Sequence, residues 1–204
     1  MASTAAQRRI HKAALQLFAE KGTTAITVSE LAEVSGVARG TIYNNGLNPD
    51  SLFEDIANQL TSEMNSRVIK TLGDEQDMAV RIATGIRMYI RRAHEEPNWG
   101  RFICKFSFSS QALIGFWTGE SSPMSDIQTG IQTQRYQLRP EQLISVMGMM
   151  AGAVLSAIFL VLEGHKTWRD AGSETAELFL IAAGISNSEA FEISRLELPV
   201  LMDV

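Results

Sequence analysis

Apolar residues recur along this chain at helical spacing. Ile10, Ala13, Ala14, Leu17 and Phe18 form one stripe over residues 5–21, and Gly22 stops it. Leu52, Phe53, Ile56, Leu60 and Met64 form a second over 49–72, about 35 Å of helix. Val80, Ile82, Ile86, Met88, Tyr89 and Ile90 predict a helix over 78–93, closed by Pro97. Further helices are expected over 124–136, 144–162 and 173–185. No stretch alternates apolar and polar residues in the manner of a half-buried strand, so the fold class is all-α.

The segment TVSELAEVSGVARGTIYNN, residues 27–45, has a finer grammar. Thr27 followed by Glu30 is a capping box, and Val28, Leu31 and Ala32 share a face. Gly36 suits the left-handed turn between two helices, and Ile42 faces inward from a short second helix over 38–44. Small residue, turn glycine and branched residue at 32, 36 and 42 describe a helix-turn-helix. Its second helix exposes Arg39, Thr41, Tyr43, Asn44 and Asn45, donors and acceptors suited to base edges and phosphates. An ordinary helical hairpin with a polar outer face is the competing explanation.

Charge agrees with local DNA contact. The chain carries −5 overall, yet residues 1–45 carry +2 through Arg8, Arg9, Lys12, Lys21 and Arg39 against Glu20, Glu30 and Glu33. Arg8, Arg9 and Lys12 are either phosphate contacts or solvated helix charges. Arg87, Arg91 and Arg92 are expected on a solvated face.

RRIHKAALQLFAEKGTTAITVSELAEVSGVARGTIY resembles the start of the tetracycline-repressor (TetR) family of transcriptional regulators. The shared order is a basic first helix, AALQLFAEKG, a Thr-capped second helix and GVARGTIY. The ending LFLIAAGISNSEAFEISRLELPVL is similar to the closing helix, glycine stop and short acidic tail of many members. The chain departs from the family at Gly46 and Pro49, where a Phe and a Lys are usual, and Leu47 is the substitute apolar anchor.

The resemblance implies an N-terminal helix-turn-helix DNA-binding domain over 1–48 and a larger helical ligand-binding and dimerisation domain over 49–204. Arg39, Gly40, Thr41, Asn44 and Asn45 would meet bases or the backbone, and Thr27 and Tyr43 phosphates. Partners would be a double-stranded palindromic operator, a small apolar or amphipathic effector and a second copy of the chain. The protein would be a repressor released by its effector. A helical small-molecule-binding dimer or scaffold with a vestigial head is the alternative, resting on residues 46 and 49.

Two apolar regions complete the expectations. Residues 98–117 hold Trp99, Phe102, Phe106, Phe108, Phe116 and Trp117, either plain core or a pocket wall. The pocket assignment names Phe102, Phe106, Trp117, Met147 and Met150. Residues 144–162 carry no charge and are long enough to cross a bilayer, but no basic flank orients them. Gly148, Gly152 and Ser156 recur every four residues, so the segment is expected as a fully buried or subunit-interface helix, with Phe179 opposite, and not as a membrane span.

Catalytic signals are absent. His11, His94 and His165 are scattered, and no GxSxG, P-loop or GxGxxG is present. No enzyme activity, cofactor or metal is expected. The single cysteine, Cys104, suggests a small buried hydrophobe, and with no signal-peptide core at the N-terminus a cytoplasmic location is expected.

Overall fold

A computed structural model of the chain describes residues 5–44, 51–108 and 122–202. Among these residues ten α-helices and one 3₁₀ turn occur, with no strand. They are α1 (Ala5–Lys21), α2 (Val28–Ser35), α3 (Arg39–Asn44), α4 (Leu52–Leu72), α5 (Met78–Glu95), α6 (Pro97–Phe106), α7 (Pro123–Gln132), α8 (Leu143–Leu162), α9 (Trp168–Ala182) and α10 (Asn187–Ser194). The helix start expected at Pro49 lies outside the described residues, as does Leu47.

Side-chain caps set the starts. Asp77 accepts from Ala79 N at 2.8 Å to open α5, and Thr167 accepts from Asp170 N at 3.1 Å to open α9. That cap starts α9 five residues before the expected position. Ser186 accepts from Glu189 N and opens α10, where the sequence predicts only an acidic tail.

Helix α5 is the central strut. It packs on α6, α7, α8, α9 and α10, and Ile82, Ile86, Met88 and Ile90 are buried along it. Two charged features of this strut defy the solvated face expected of its arginines. Arg92 is only 2% exposed. It donates to both Glu63 oxygens at 3.1 Å and to Glu96 at 3.2 Å, and lies 4.7 Å over the Trp99 ring. Paired on three sides, the guanidinium tolerates burial. Arg87 is half-buried beneath α9 and α10.

The head is seated on the body by aromatic packing. Phe18 of α1 meets Phe53 of α4 edge to face at 5.3 Å, and Phe53 meets Phe102 and Phe106 of α6 at 5.5 and 5.0 Å. Lys105 Nζ donates to the Ala19 and Glu20 carbonyls at 2.5 and 3.1 Å, placing a cation at the C-terminus of α1. Phe102 and Phe106 therefore belong to the joint between head and body, which corrects their assignment to a ligand pocket.

Helix α8 is buried on one face only. Met147, Met150, Val154 and Ile158 point inward, while Ile144 is 69% exposed and Phe159 53%. The expectation of full burial fails within one chain, because no described helix covers that second face.

Candidate nucleic-acid interface and ligand cavity

The helix-turn-helix forms as its sequence demands. Thr27 Oγ1 accepts from Glu30 N at 3.2 Å, and Glu30 Oε2 accepts from Thr27 N at 2.9 Å, completing the capping box. Gly36 takes φ 64°, the left-handed region, and its N–H closes α2 on Ala32 O at 3.0 Å. Ile42 is fully buried, so α3 is turned with Arg39, Gly40, Tyr43 and Asn44 exposed and Thr41 half-buried. Asn45 lies outside the described residues.

Two residues of the head make hydrogen bonds within the head itself. Arg9 Nη2 donates to Ser35 O at 2.7 Å and Gly36 O at 2.8 Å. It ties α1 to the C-terminus of α2, a structural use that neither phosphate contact nor solvation anticipates. Thr27 spends its backbone N–H and its hydroxyl proton on Glu30 Oε2, both at 2.9 Å. The Glu30 carboxyl is held down to about 2, first by the Lys21 hydrogen bond and then by Thr27. Thr27 thus serves the helix start, and the Glu30 carboxylate beside it is paired with Lys21.

In the body, a narrow cavity of about 40 Å³, open to solvent at its mouth, lies among α4, α5, α7 and α8. Its walls are mostly aliphatic, with Val68, Ile82, Met150 and Val154. Two polar pairs interrupt them. Arg81 Nε donates to Asp126 Oδ1 at 2.9 Å, and both side chains are nearly buried. Burial pushes the Asp126 carboxyl up while Arg81 opposes that rise. Tyr89 OH donates to Asn65 Oδ1 at 3.4 Å, and burial raises its phenol. A few polar groups aimed into an apolar hollow are the usual make-up of a small-molecule site.

Of the residues expected to line a pocket, Met150 faces this cavity; Phe102 and Phe106 do not, Met147 is buried outside its lining, and Trp117 lies outside the described residues. Arg81, Gly85 and Tyr89 share one face of α5 by their spacing of four, the only sequence signal for the polar lining. Asp126 comes from 45 residues away and leaves no such signal.

A second apolar surface runs along α8 and α9. A side chain added at Gly148 or Gly152 would meet nothing within 4 Å, and Ser156 is exposed. Phe179 is buried at the floor of the groove between the two helices, so Leu178, 67% exposed, is the outward residue of α9. Cys104 is half-buried, its Sγ 3.6 Å from Leu155 O, and burial pushes its thiol up to about 11. Among the described residues no group of three or more His, Cys, Asp or Glu side chains is arranged to hold a metal.

The chain is similar to several known proteins. YvkB of Bacillus subtilis (strain 168), an uncharacterized HTH-type transcriptional regulator, is 33% identical over 107 residues, 52% of this chain. The match covers 53% of YvkB, about half of that relative's length. Among solved structures, RolR in complex with resorcinol superposes with TM-score 0.71 at 22% identity, covering 97% of this chain and 96% of RolR. FadR from Bacillus subtilis in complex with stearoyl-CoA gives 0.68 at 18% identity, covering 88% and 99%. These likenesses establish a shared fold. The model for bacterial regulatory proteins of the tetR family matches residues 10–45, and that for the tetracyclin repressor-like C-terminal domain matches residues 77–196. With the head and more than half of the chain matched in this way, the protein belongs to the TetR family of transcriptional regulators.

Proposed function

We propose that the protein is a ligand-responsive repressor that binds a palindromic operator as a homodimer and is released by a small, mostly apolar effector bearing a hydrogen-bonding group. Residues 1–48 form the DNA-binding head and 49–204 the effector and dimerisation body. One observation carries this reading: α4 is shared. Its first turns hold Phe53 in the aromatic joint with the head, and its last turns line the cavity through Asn65, Val68 and Leu72. Any effector that displaces the far end of α4 moves the seat of the helix-turn-helix.

On DNA, Arg39, Gly40, Thr41, Tyr43 and Asn44 face the major groove, with Arg39 a candidate for a bidentate guanine contact. Asn45 adjoins this set. The dimer forms through the open face of α8 and α9, where Ile144, Met149, Leu178 and the smooth strip at Gly148, Gly152 and Ser156 meet their own copies across a two-fold axis. The same axis requires a palindrome. In the cavity, Arg81 with Asp126 orients the effector's polar group, and Met150 and Val154 contact its apolar part. RolR's resorcinol and FadR's stearoyl-CoA support a ligand of this character. Hundredfold release of DNA needs the effector to favour the non-binding state by about 2.7 kcal/mol. The reading assigns the protein no reaction and a cytoplasmic site of action.

Selection of bound duplexes from a random pool tests the proposal. An enriched palindrome supports both base reading and two-fold symmetry. No enrichment at low salt overturns it in favour of a helical small-molecule-binding dimer with a vestigial head.

A further inference from the structure

A second cleft lies on the far side of α5 from the effector cavity. Helix α5 presents Arg81, Gly85 and Tyr89 to the cavity, but Arg87 and Arg91 to this cleft. Arg169 and Trp168 of α9 and Arg195 after α10 complete it, around a space of about 380 Å³. Four guanidiniums thus line one hollow, against a single lining carboxylate, Glu197.

The four are unequally satisfied. Arg91 donates to Glu95 at 2.8 Å and Arg195 to Glu177 at 2.6 Å. Among the described residues, Arg87 has no hydrogen bond or ion pair, and the guanidinium of Arg169 has only the Trp168 ring, 4.3 Å from its Cζ. Arg91 lies 5.3 Å from the same ring, so one indole steadies two cations at the cleft wall. Arg87 is half-buried, and burial followed by the nearby Arg195 charge lowers its proton affinity. A partly desolvated cation that faces further cations and lacks a counter-ion is unfavourable unless an anion joins it.

We infer that this cleft is an anion site, built for a phosphate-type oxyanion of two or more charges gripped by Arg87 and Arg169, with the remaining N–H groups of Arg91 and Arg195 in support. Planar guanidinium forks match the paired oxygens of phosphate better than a lone carboxylate. The cleft's volume exceeds that of one phosphate, so free pyrophosphate and the diphosphate of a nucleotide are both sterically allowed sources.

Isothermal titration calorimetry on the purified, DNA-free full chain at low salt tests the site, with inorganic pyrophosphate and ADP as probes. Saturable binding of one pyrophosphate per chain is expected. Arg87→Gln and Arg169→Gln should each weaken it at least tenfold, with the helical circular dichroism unchanged. Arg139→Gln, which alters an exposed arginine paired with Glu141 outside the cleft, should leave it unchanged. ADP binding tighter than pyrophosphate would identify a nucleotide as the occupant, and equal affinity would identify the free anion. No binding heat, or equal weakening by Arg139→Gln, would overturn the inference. This outcome is independent of the DNA and effector reading, since neither DNA nor effector is in the cell.

Discussion

Arg9→Ala separates a structural role from a DNA-contacting one. Arg9 Nη2 makes two hydrogen bonds, at 2.7 and 2.8 Å, to the last carbonyls of α2 and its turn. A shielded hydrogen bond to a charged group contributes about 1.5–3 kcal/mol. Arg9 is exposed, so solvent screening brings the pair down to about 1–2 kcal/mol in total. In a chain of this size that corresponds to a fall in Tm of about 3–6 °C. Calorimetry of the DNA-free protein measures it. Amide exchange should also accelerate at Gly36, whose N–H closes α2 on Ala32. The turn is then less populated in its DNA-ready form, and operator affinity falls with little change in its salt dependence. A phosphate contact would behave oppositely: Tm would stay constant and the salt slope would drop by about 1. That second pattern would refute the structural role.

Three further outcomes follow from the packing. Phe53→Ala removes the centre of the aromatic joint and should cost about 3–5 kcal/mol by calorimetric unfolding, so Phe53→Leu, with a smaller loss, is the variant in which to ask whether effector and DNA still compete. The Asp77 carboxyl is held below its ordinary value of 3.8, first by hydrogen bonds from Arg135. Because the folded value is the lower one, its stabilisation is present above the unfolded value and is lost as pH falls through the folded one, so wild type and Asp77→Asn should differ most in Tm near neutral pH and converge toward pH 2. Cys104, with its thiol near 11, should react with iodoacetamide at pH 7.5 at least about a hundredfold more slowly than glutathione, and a comparable rate would contradict its burial.

Much of the DNA-reading head is legible in the sequence. Thr27 with Glu30, Gly36 and Ile42 act within one or two helical turns, so their spacing alone implies the cap, the left-handed turn and the inward face. Trp99, Phe102 and Phe106 of the aromatic run are legible as buried, though Phe108 is exposed, but the joint is not legible, because Phe102 finds Phe18 and Phe53 from distant parts of the chain. The cavity's polar lining is hidden for the same reason, since Arg81 and Asp126 each look like a solvated charge until they meet.

Local order in this protein is largely written in the sequence: which stretches form most of the helices, how several of them start and stop, and which face of the second helix-turn-helix element stays exposed. Those outcomes depend on hydrogen bonds and side-chain contacts three or four residues apart, which spacing records. Which partner each charge finds, and which charges are buried, is settled by tertiary packing instead. Arg9 closes on a carbonyl 27 residues away, Arg92 on a carboxylate 29 residues away, and Arg81 on one 45 residues away, while Arg87 is brought to an arginine-lined cleft with no ion-pair partner among the described residues. The cost of burying a charge depends on the partner that folding delivers, and that partner is set by how whole helices pack.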